Sequence, residues 1–211
     1  MRTAPASPPW LAAREDDGPL LVVIAGPNGS GKTTFYEEYI APFGLPFVNA
    51  DLIAKEMAAK GERISDFEAA KLAAKRRRDY VGKKLSFCFE TVFSDTVGSK
   101  RKFFRDAQES GYAVLLLFIG LDRLELSRAR VLQRALAGGH GVPDRKLAER
   151  FPRTFDNLRR AIGFVDQVCL FDNSSFDSPY RPIAICDSGR VVQLFPPLPA
   201  WARDVLPKPL T

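Results

Sequence analysis

The run Leu20-Leu21-Val22-Val23-Ile24-Ala25-Gly26-Pro27-Asn28-Gly29-Ser30-Gly31-Lys32-Thr33 decides the fold. Its first half is apolar and partly β-branched, and it has the length of a strand buried on both faces. Its second half carries the glycine, lysine and hydroxyl spacing of a Walker A loop. The residues that follow, Thr33 to Ile40, have a helical pattern. Strand, glycine loop and helix in that order turn a pattern match into a physical claim. The glycines let backbone N–H groups wrap a polyphosphate without Cβ clashes. The helix N-terminus adds roughly half a positive charge facing the same anion. Lys32 is expected to reach the β- and γ-phosphates, and Thr33 to hold Mg²⁺ through its hydroxyl. Gly26, Pro27, Asn28, Gly29, Ser30, Gly31, Lys32, Thr33 and the adjoining Thr34 form the expected nucleotide cradle, for ATP or GTP.

Around this loop, 211 residues suffice for one well-buried α/β core. No apolar stretch approaches the roughly 18–20 residues that span a bilayer. The longest such run, Ala113 to Ile119, fits a buried strand, and no membrane association is expected. The start of the chain lacks the continuous apolar segment of a signal peptide. Cys88, Cys169 and Cys186 are few, odd in number and far apart. With Cys88 and Cys169 inside apolar runs, they read as reduced core thiols of a cytoplasmic protein.

The net charge is +6, much of it from Lys71, Lys75, Arg76, Arg77 and Arg78. These lie in a helical segment, Ser65 to Lys84. A solvated helix face is the expectation there, because no aromatic residues interleave with the cations as stacking platforms for nucleic acid would.

Strand-like and helix-like runs alternate along the chain. The strands are Leu20–Ala25, Phe47–Asn49, Ser86–Glu90, Ala113–Gly120 and Gln167–Phe171. The helices are Lys32–Ile40, Leu52–Ala59, Ser65–Lys84, Asp95–Ser110, Arg123–Ala137 and Asp144–Val165. Such alternation implies right-handed crossovers and an α/β fold: a parallel five-stranded sheet with helices on both faces. A late pair, Pro182–Cys186 and Val191–Phe195, reads as a C-terminal β-hairpin on one sheet edge. Residues 1–18, rich in Ala and Pro, read as a loose arm. Residues 19–195 read as the P-loop domain. Residues 196–211 read as a proline-rich tail in which Trp201 is a candidate anchor on the core.

Ligands of a parallel sheet gather at the carboxyl ends of its strands. After the second strand, Asp51 opens a helix. It is either an N-cap or a carboxylate placed to take a proton from an attacking hydroxyl. The third strand ends in Glu90-Thr91. Glu90 there is either a Mg²⁺-water or substrate ligand, or a carboxylate simply reaching solvent. The fourth strand leads to Asp122, a candidate helix cap. The fifth leads to Asn173, which either reads a base edge or makes a turn. Between Arg128 and Asn157, Arg128, Arg130 and Arg134 precede Gly138-Gly139-His140-Gly141-Val142-Pro143, and Lys146, Arg150 and Arg153 follow. Such arginines either close over phosphates as a lid or decorate a solvated hairpin. The lone His140 supports no metal-ligand cluster.

Taken together, Gly26–Thr33, Asn49-Ala50-Asp51, Phe89-Glu90-Thr91, the Arg130–Arg134 stretch leading into Gly-Gly-His-Gly-Val-Pro, Asn157-Leu158 and Asp172-Asn173-Ser174 resemble a zeta-toxin-like P-loop kinase, in its compact subgroup. The likeness runs from about Leu20 to Leu194. It implies an adenylate-kinase-like core and the ATP-dependent phosphorylation of a hydroxyl. In characterised zeta toxins that hydroxyl is the 3′ position of UDP-N-acetylglucosamine. By the same resemblance, Lys32 and Thr33 hold ATP and Mg²⁺, and Asp51 matches the general base. Glu90, Thr91 and His140 fall in the substrate region, and Arg134 and Arg150 match the lid arginines. An antitoxin-like protein partner is also implied. The Walker sequence occurs in ABC-transporter ATPases too, but no Leu-Ser-Gly-Gly-Gln signature is present. The alternatives to a small-molecule kinase are a partner-controlled regulatory ATPase or toxin module, and a polynucleotide kinase.

Overall fold

The central strands of the computed structural model split their side chains between two apolar layers, as the two-residue strand period requires. The structure describes residues 18–139 and 141–207. Strand β1 (Leu20–Ala25) sends Leu21, Val23 and Ala25 into one core cluster and Val22 and Ile24 into the other. Both faces are therefore covered, and every residue from Leu21 to Ala25 is fully buried.

Six further strands complete the sheet: β2 (Phe47–Val48), β3 (Phe87–Thr91), β4 (Ala113–Gly120), β5 (Gln167–Asp172), β6 (Arg181–Asp187) and β7 (Arg190–Leu194). Their order is β2-β3-β1-β4-β5-β6-β7. The first five run parallel, and β6 and β7 are antiparallel additions at one edge. The expected parallel core and edge hairpin are thus both present in a mixed seven-stranded sheet. The hairpin turns on Ser188 and Gly189, both at positive φ (48° and 82°), which suits a tight two-residue connection.

The helices are α1 (Lys32–Phe35), α2 (Ala50–Ala59), α3 (Asp66–Gly82), α4 (Ser99–Glu109), α5 (Leu124–Leu136), α6 (Asp144–Ile162) and α7 (Ala200–Val205). Helices α3, α4, α6 and α7 supply Ala73, Phe104, Leu158 and Trp201 to the larger core layer. The other layer is closed by Phe35 of α1 and Ile40 beyond it.

Several expected boundaries move. The segment Lys32–Ile40 is helical, but only its first four residues are α-helix. A wider π turn over Tyr36–Ile40 and a 3₁₀ turn over Ala41–Phe43 follow. There Tyr36 stacks on Phe47, with ring centroids 3.6 Å apart and planes 9° from parallel. Helix α4 begins at Ser99 rather than Asp95. Asp95 stays in the preceding loop, where it accepts from Ser99 Oγ (3.2 Å) and the Lys100 N–H (3.4 Å). Helix α3 has a full capping box, Ser65 with Glu68, which fixes its start. Asp122 does not cap α5: its N–H donates to Ser174 Oγ (2.9 Å), and the cap residue is Arg123, with no side-chain cap bond.

The C-terminal segment docks through Trp201. This residue packs between Phe118 and Phe155, and its Nε1–H donates to Asp172 Oδ1 at 3.0 Å. A Cβ at Gly120 would lie 2.3 Å from the Trp201 ring, so the glycine makes room for it. Trp201→Ala is expected to lower unfolding stability by about 3–5 kcal/mol. Urea titration measures this, and a loss below about 1 kcal/mol would contradict a docked α7. The loose arm expected over residues 1–18 lies outside the described residues except for Gly18. Among the described residues, no helix is long and apolar enough to cross a membrane.

Candidate active site

The glycine loop sits at the carboxyl end of β1, between β3 and β4. Gly26 lies so close to β4 that an added Cβ would stand 2.2 Å from the Ile119 carbonyl oxygen. Gly31 has φ 88°, and a Cβ there would meet Asn173 Nδ2 and Tyr180 Oη at 2.7 Å. These contacts are the reason both positions are glycine.

The loop is braced from outside by groups that its own motif does not contain. Ser127 of α5, buried, donates to the Asn28 carbonyl (2.7 Å). Asn173 Nδ2 donates to the Ser30 carbonyl (2.9 Å), and its Oδ1 accepts from the Tyr180 N–H (3.4 Å). Tyr180 Oη donates to the Gly31 carbonyl (2.9 Å). Asn173 thus uses both of its side-chain polar atoms on protein groups. It fastens the loop after β5 to the phosphate loop. Ser127 and Tyr180 carried no local sequence signal, because their partners lie about a hundred residues or more away.

Lys32 is buried, at 6% exposure, and its Nζ donates to the Pro27 carbonyl (2.9 Å). Burial pushes its pKa below the ordinary lysine value. Glu90 opposes that shift, Arg134 adds to it by repulsion, and Asp51 opposes it. The four residues thus share one electrostatic neighbourhood. Thr33 Oγ1 donates to Glu90 Oε2 (2.9 Å), and Asn49 Nδ2 donates to the same oxygen (3.0 Å). Glu90, expected in the substrate region, stands here against the phosphate-loop threonine. Asn49 is an addition that the sequence reading left without a role.

Asn49 also settles how α2 begins. Its Oδ1 accepts from the N–H groups of Asp51 (2.8 Å) and Leu52 (3.3 Å). The helix cap is therefore Asn49, not Asp51. Asp51 sits in the first turn with its carboxylate exposed and free of capping duty.

One cleft joins these groups. With a volume of about 370 Å³, it is lined by Asn28, Lys32, Asp51, Glu90, Arg134 and Arg150, among others, and Thr91 contributes to its wall. Both expected lid arginines face it, from α5 and α6. The other arginines of that hairpin serve different ends. Arg128 pairs with Asp144 across the two helices (2.6 and 2.9 Å). Arg153 lies 3.8 Å from Glu149. Arg130 stacks over Phe176, 5.1 Å from the ring centroid, with one nitrogen 3.5 Å from the Gly29 carbonyl. Gly138 takes positive φ (86°) at the turn, and Gly139 does not. His140 lies outside the described residues. From α6, Thr154 and Asn157 donate to the carbonyls of Val92, Phe93 and Asp95 (2.9–3.0 Å), and so hold the loop after β3.

The donor set tests which metal the site could hold. It offers one hydroxyl and one carboxylate, both hard oxygen donors, already 2.9 Å apart. No group of three or more His, Cys, Asp or Glu with metal-binding placement occurs among the described residues. That fits an ion such as Mg²⁺, which keeps several waters and borrows substrate phosphates, and not a caged zinc. All three cysteines are free and buried.

A strand-ended phosphate loop, with an acid from the neighbouring parallel strand bonded to its threonine, defines a P-loop kinase-like α/β protein. Residues 21–157 match the AAA_33 family model, an AAA domain, and the chain belongs to that family. An uncharacterized protein of Haemophilus influenzae is 27% identical over 123 residues, which is 58% of this chain and 86% of that protein. Among solved structures, the AvrRxo1-ORF1:AvrRxo1-ORF2 complex with sulphate ions superposes with a TM-score of 0.69 at 19% identity, covering 92% of this chain. The chain spans only 65% of that protein's length. The PezAT chromosomal toxin-antitoxin system of Streptococcus pneumoniae gives a TM-score of 0.58 at 17% identity, covering 82% of this chain and 72% of the other. At such identities the structural likeness shows the fold alone.

Proposed function

We propose that the protein is an ATP-dependent phosphotransferase of the zeta-toxin type, which moves the γ-phosphate of ATP to a hydroxyl of a small molecule. The observation that carries this reading is the single cleft shared by Lys32, Asp51 and Glu90, with Glu90 bonded to Thr33. An acid bonded to the phosphate-loop hydroxyl marks the nucleotide end. A second, uncommitted carboxylate across the cleft marks where an acceptor hydroxyl is deprotonated. A related complex, AvrRxo1-ORF1:-ORF2, has been crystallised with ATP (TM-score 0.59, 18% identity), which supports ATP, with GTP as the lesser alternative.

The roles follow from position. The backbone N–H groups of Gly29 to Thr33 and the Lys32 ammonium receive the β- and γ-phosphates. Thr33 and Glu90 would hold Mg²⁺, Glu90 through water; when bound, the ion neutralises charge on the phosphate oxygens. Asp51 takes the proton of the acceptor hydroxyl. The oxygen then bonds to the γ-phosphorus as the bond to the bridging β–γ oxygen breaks, and ADP leaves. Arg134 and Arg150 meet the charge that builds on the transferring group and keep water out. Thr91, on the same wall, orients the acceptor. UDP-N-acetylglucosamine is the first acceptor to try, on the motif likeness to zeta toxins. The partner chains named with AvrRxo1-ORF1 and in the PezAT system support looking for a protein partner here as well.

The test is a mass-spectrometric acceptor screen with ATP and Mg²⁺, beginning with that nucleotide sugar. The expected result is ADP release that depends on an acceptor and is matched by a product one phosphate heavier. ATP hydrolysis of equal rate with and without every acceptor would instead indicate a regulatory ATPase.

A further inference from the structure

A peptide unit is planar and trans, so its C=O and the N–H that follows point in opposite directions. Whatever holds a phosphate-loop carbonyl outward therefore aims the next N–H inward. Three carbonyls of the loop are held by side chains from elsewhere in the fold. Ser127 Oγ donates to the Asn28 carbonyl (2.7 Å), Asn173 Nδ2 to the Ser30 carbonyl (2.9 Å) and Tyr180 Oη to the Gly31 carbonyl (2.9 Å). The N–H groups across those three peptide bonds belong to Gly29, Gly31 and Lys32. Among the described residues, none of the three donates to a backbone acceptor. Gly29 and Lys32 line the cleft.

The three braces are not equal. The Gly31 carbonyl also accepts the Phe35 N–H (2.9 Å), the first bond of α1, so the helix by itself aims the Lys32 N–H. The Asn28 and Ser30 carbonyls have no backbone donor among the described residues. Their direction rests on Ser127 and Asn173, whose side chains are buried at 1% and 7% exposure. The peptide planes concerned adjoin Gly29 and Gly31, at φ 71° and 88°. A plane beside a glycine turns at little steric cost, so a buried donor on each carbonyl is what fixes it.

We propose that Ser127 and Asn173 are positioning residues for the nucleotide: by holding these two carbonyls outward, they aim the Gly29 and Gly31 N–H groups at the β- and γ-phosphates. This rests on the phosphate-loop part of the kinase reading above and adds the residues that preorganise the loop. N–H groups that already converge on an anion need not be turned when it binds, and that saving appears as affinity. Ser127 stands on α5, the helix that also brings Arg134 to the cleft. One element thus aims a loop amide and carries a lid arginine. Asn173 follows β5 and is itself set by the Tyr180 N–H, which donates to its Oδ1 (3.4 Å).

The test measures binding of Mg²⁺–AMP-PNP and of AMP to the full chain by calorimetry, with amide NMR on the same samples. Ser127→Ala and Asn173→Ala are each expected to weaken AMP-PNP about 3–10-fold, the worth of one neutral hydrogen bond. AMP, which has no β- or γ-phosphate, is expected to lose less than about twofold. The amide protons report the aim directly. On AMP-PNP binding, the downfield shift of the Gly29 proton should shrink in Ser127→Ala and persist in Asn173→Ala, and that of the Gly31 proton should do the reverse. Ser127→Ala removes a single oxygen, so it keeps the test open if Asn173→Ala does not fold. Unchanged AMP-PNP affinity in Ser127→Ala, or an equal loss for AMP, would overturn the positioning role while leaving the kinase reading intact. Failure of the wild type to bind AMP-PNP would overturn both.

Discussion

Asp51→Asn and Asp51→Ala are expected to lower phosphoryl transfer about 10²–10⁴-fold, the range a positioned general base supplies. ATP affinity should stay within a few-fold, because among the described residues no hydrogen bond or ion pair joins the Asp51 side chain to the phosphate loop, and it acts on Lys32 only through its charge. Its backbone N–H donates to Asn49 Oδ1, a bond that either substitution keeps. Single-turnover transfer and equilibrium nucleotide binding separate the two effects. A variant that retains full transfer would remove Asp51 as the base. A variant that loses ATP binding as well would place Asp51 at the nucleotide end of the cleft.

Lys32→Met carries the second large effect, and it has two signs. Transfer is expected to fall about 10²–10³-fold or more, since one fixed cation at the developing charge is worth that much. Stability without nucleotide should hold or rise near neutral pH. Lys32 is an ammonium buried at 6% exposure with the Pro27 carbonyl as its hydrogen-bond partner, and burial lowers its pKa. A lysine pKa lowered by folding means that the unfolded chain binds more protons than the folded chain. The penalty is fully present below the folded-state pKa and is relieved as pH rises through it toward the unfolded value, near 10.5. The stability advantage of Lys32→Met over wild type should therefore shrink as pH is raised from about 7 to about 10. Urea unfolding at several pH values measures it. A gap that widens with pH would contradict the assignment of a costly buried cation. This cost is the usual one for a functional group held ready in a site.

The sheet was legible because its signal is local. Runs such as Leu20–Ala25 and Ala113–Gly120 are apolar throughout, and only strands covered on both faces read that way. The helix starts were less legible, since a cap depends on which nearby side chain reaches the free N–H groups. Asn49 reaches those of Asp51 and Leu52, and Asp51 follows it after Ala50 alone, so composition could not choose between them. The same holds for Asp122, whose N–H goes to Ser174, fifty-two residues further along.

Sequence alone determined the phosphate cradle, because glycine spacing, lysine and threonine act within one contiguous loop whose backbone geometry is local. It also determined that acids stand after the second and third strands. What only the tertiary structure decided was which of these groups meet. Glu90 reaches Thr33 across two strands that pair in parallel register, Ile24 opposite Glu90. Asn173 and Tyr180 hold the loop from about a hundred and forty residues away. Arg77, one of four adjacent cations, leaves the surface for the cleft. Helical periodicity gives neighbouring residues different faces, but only the packing of α3 against β2 and the rings of Phe89 and Phe103 fixes which face is inside.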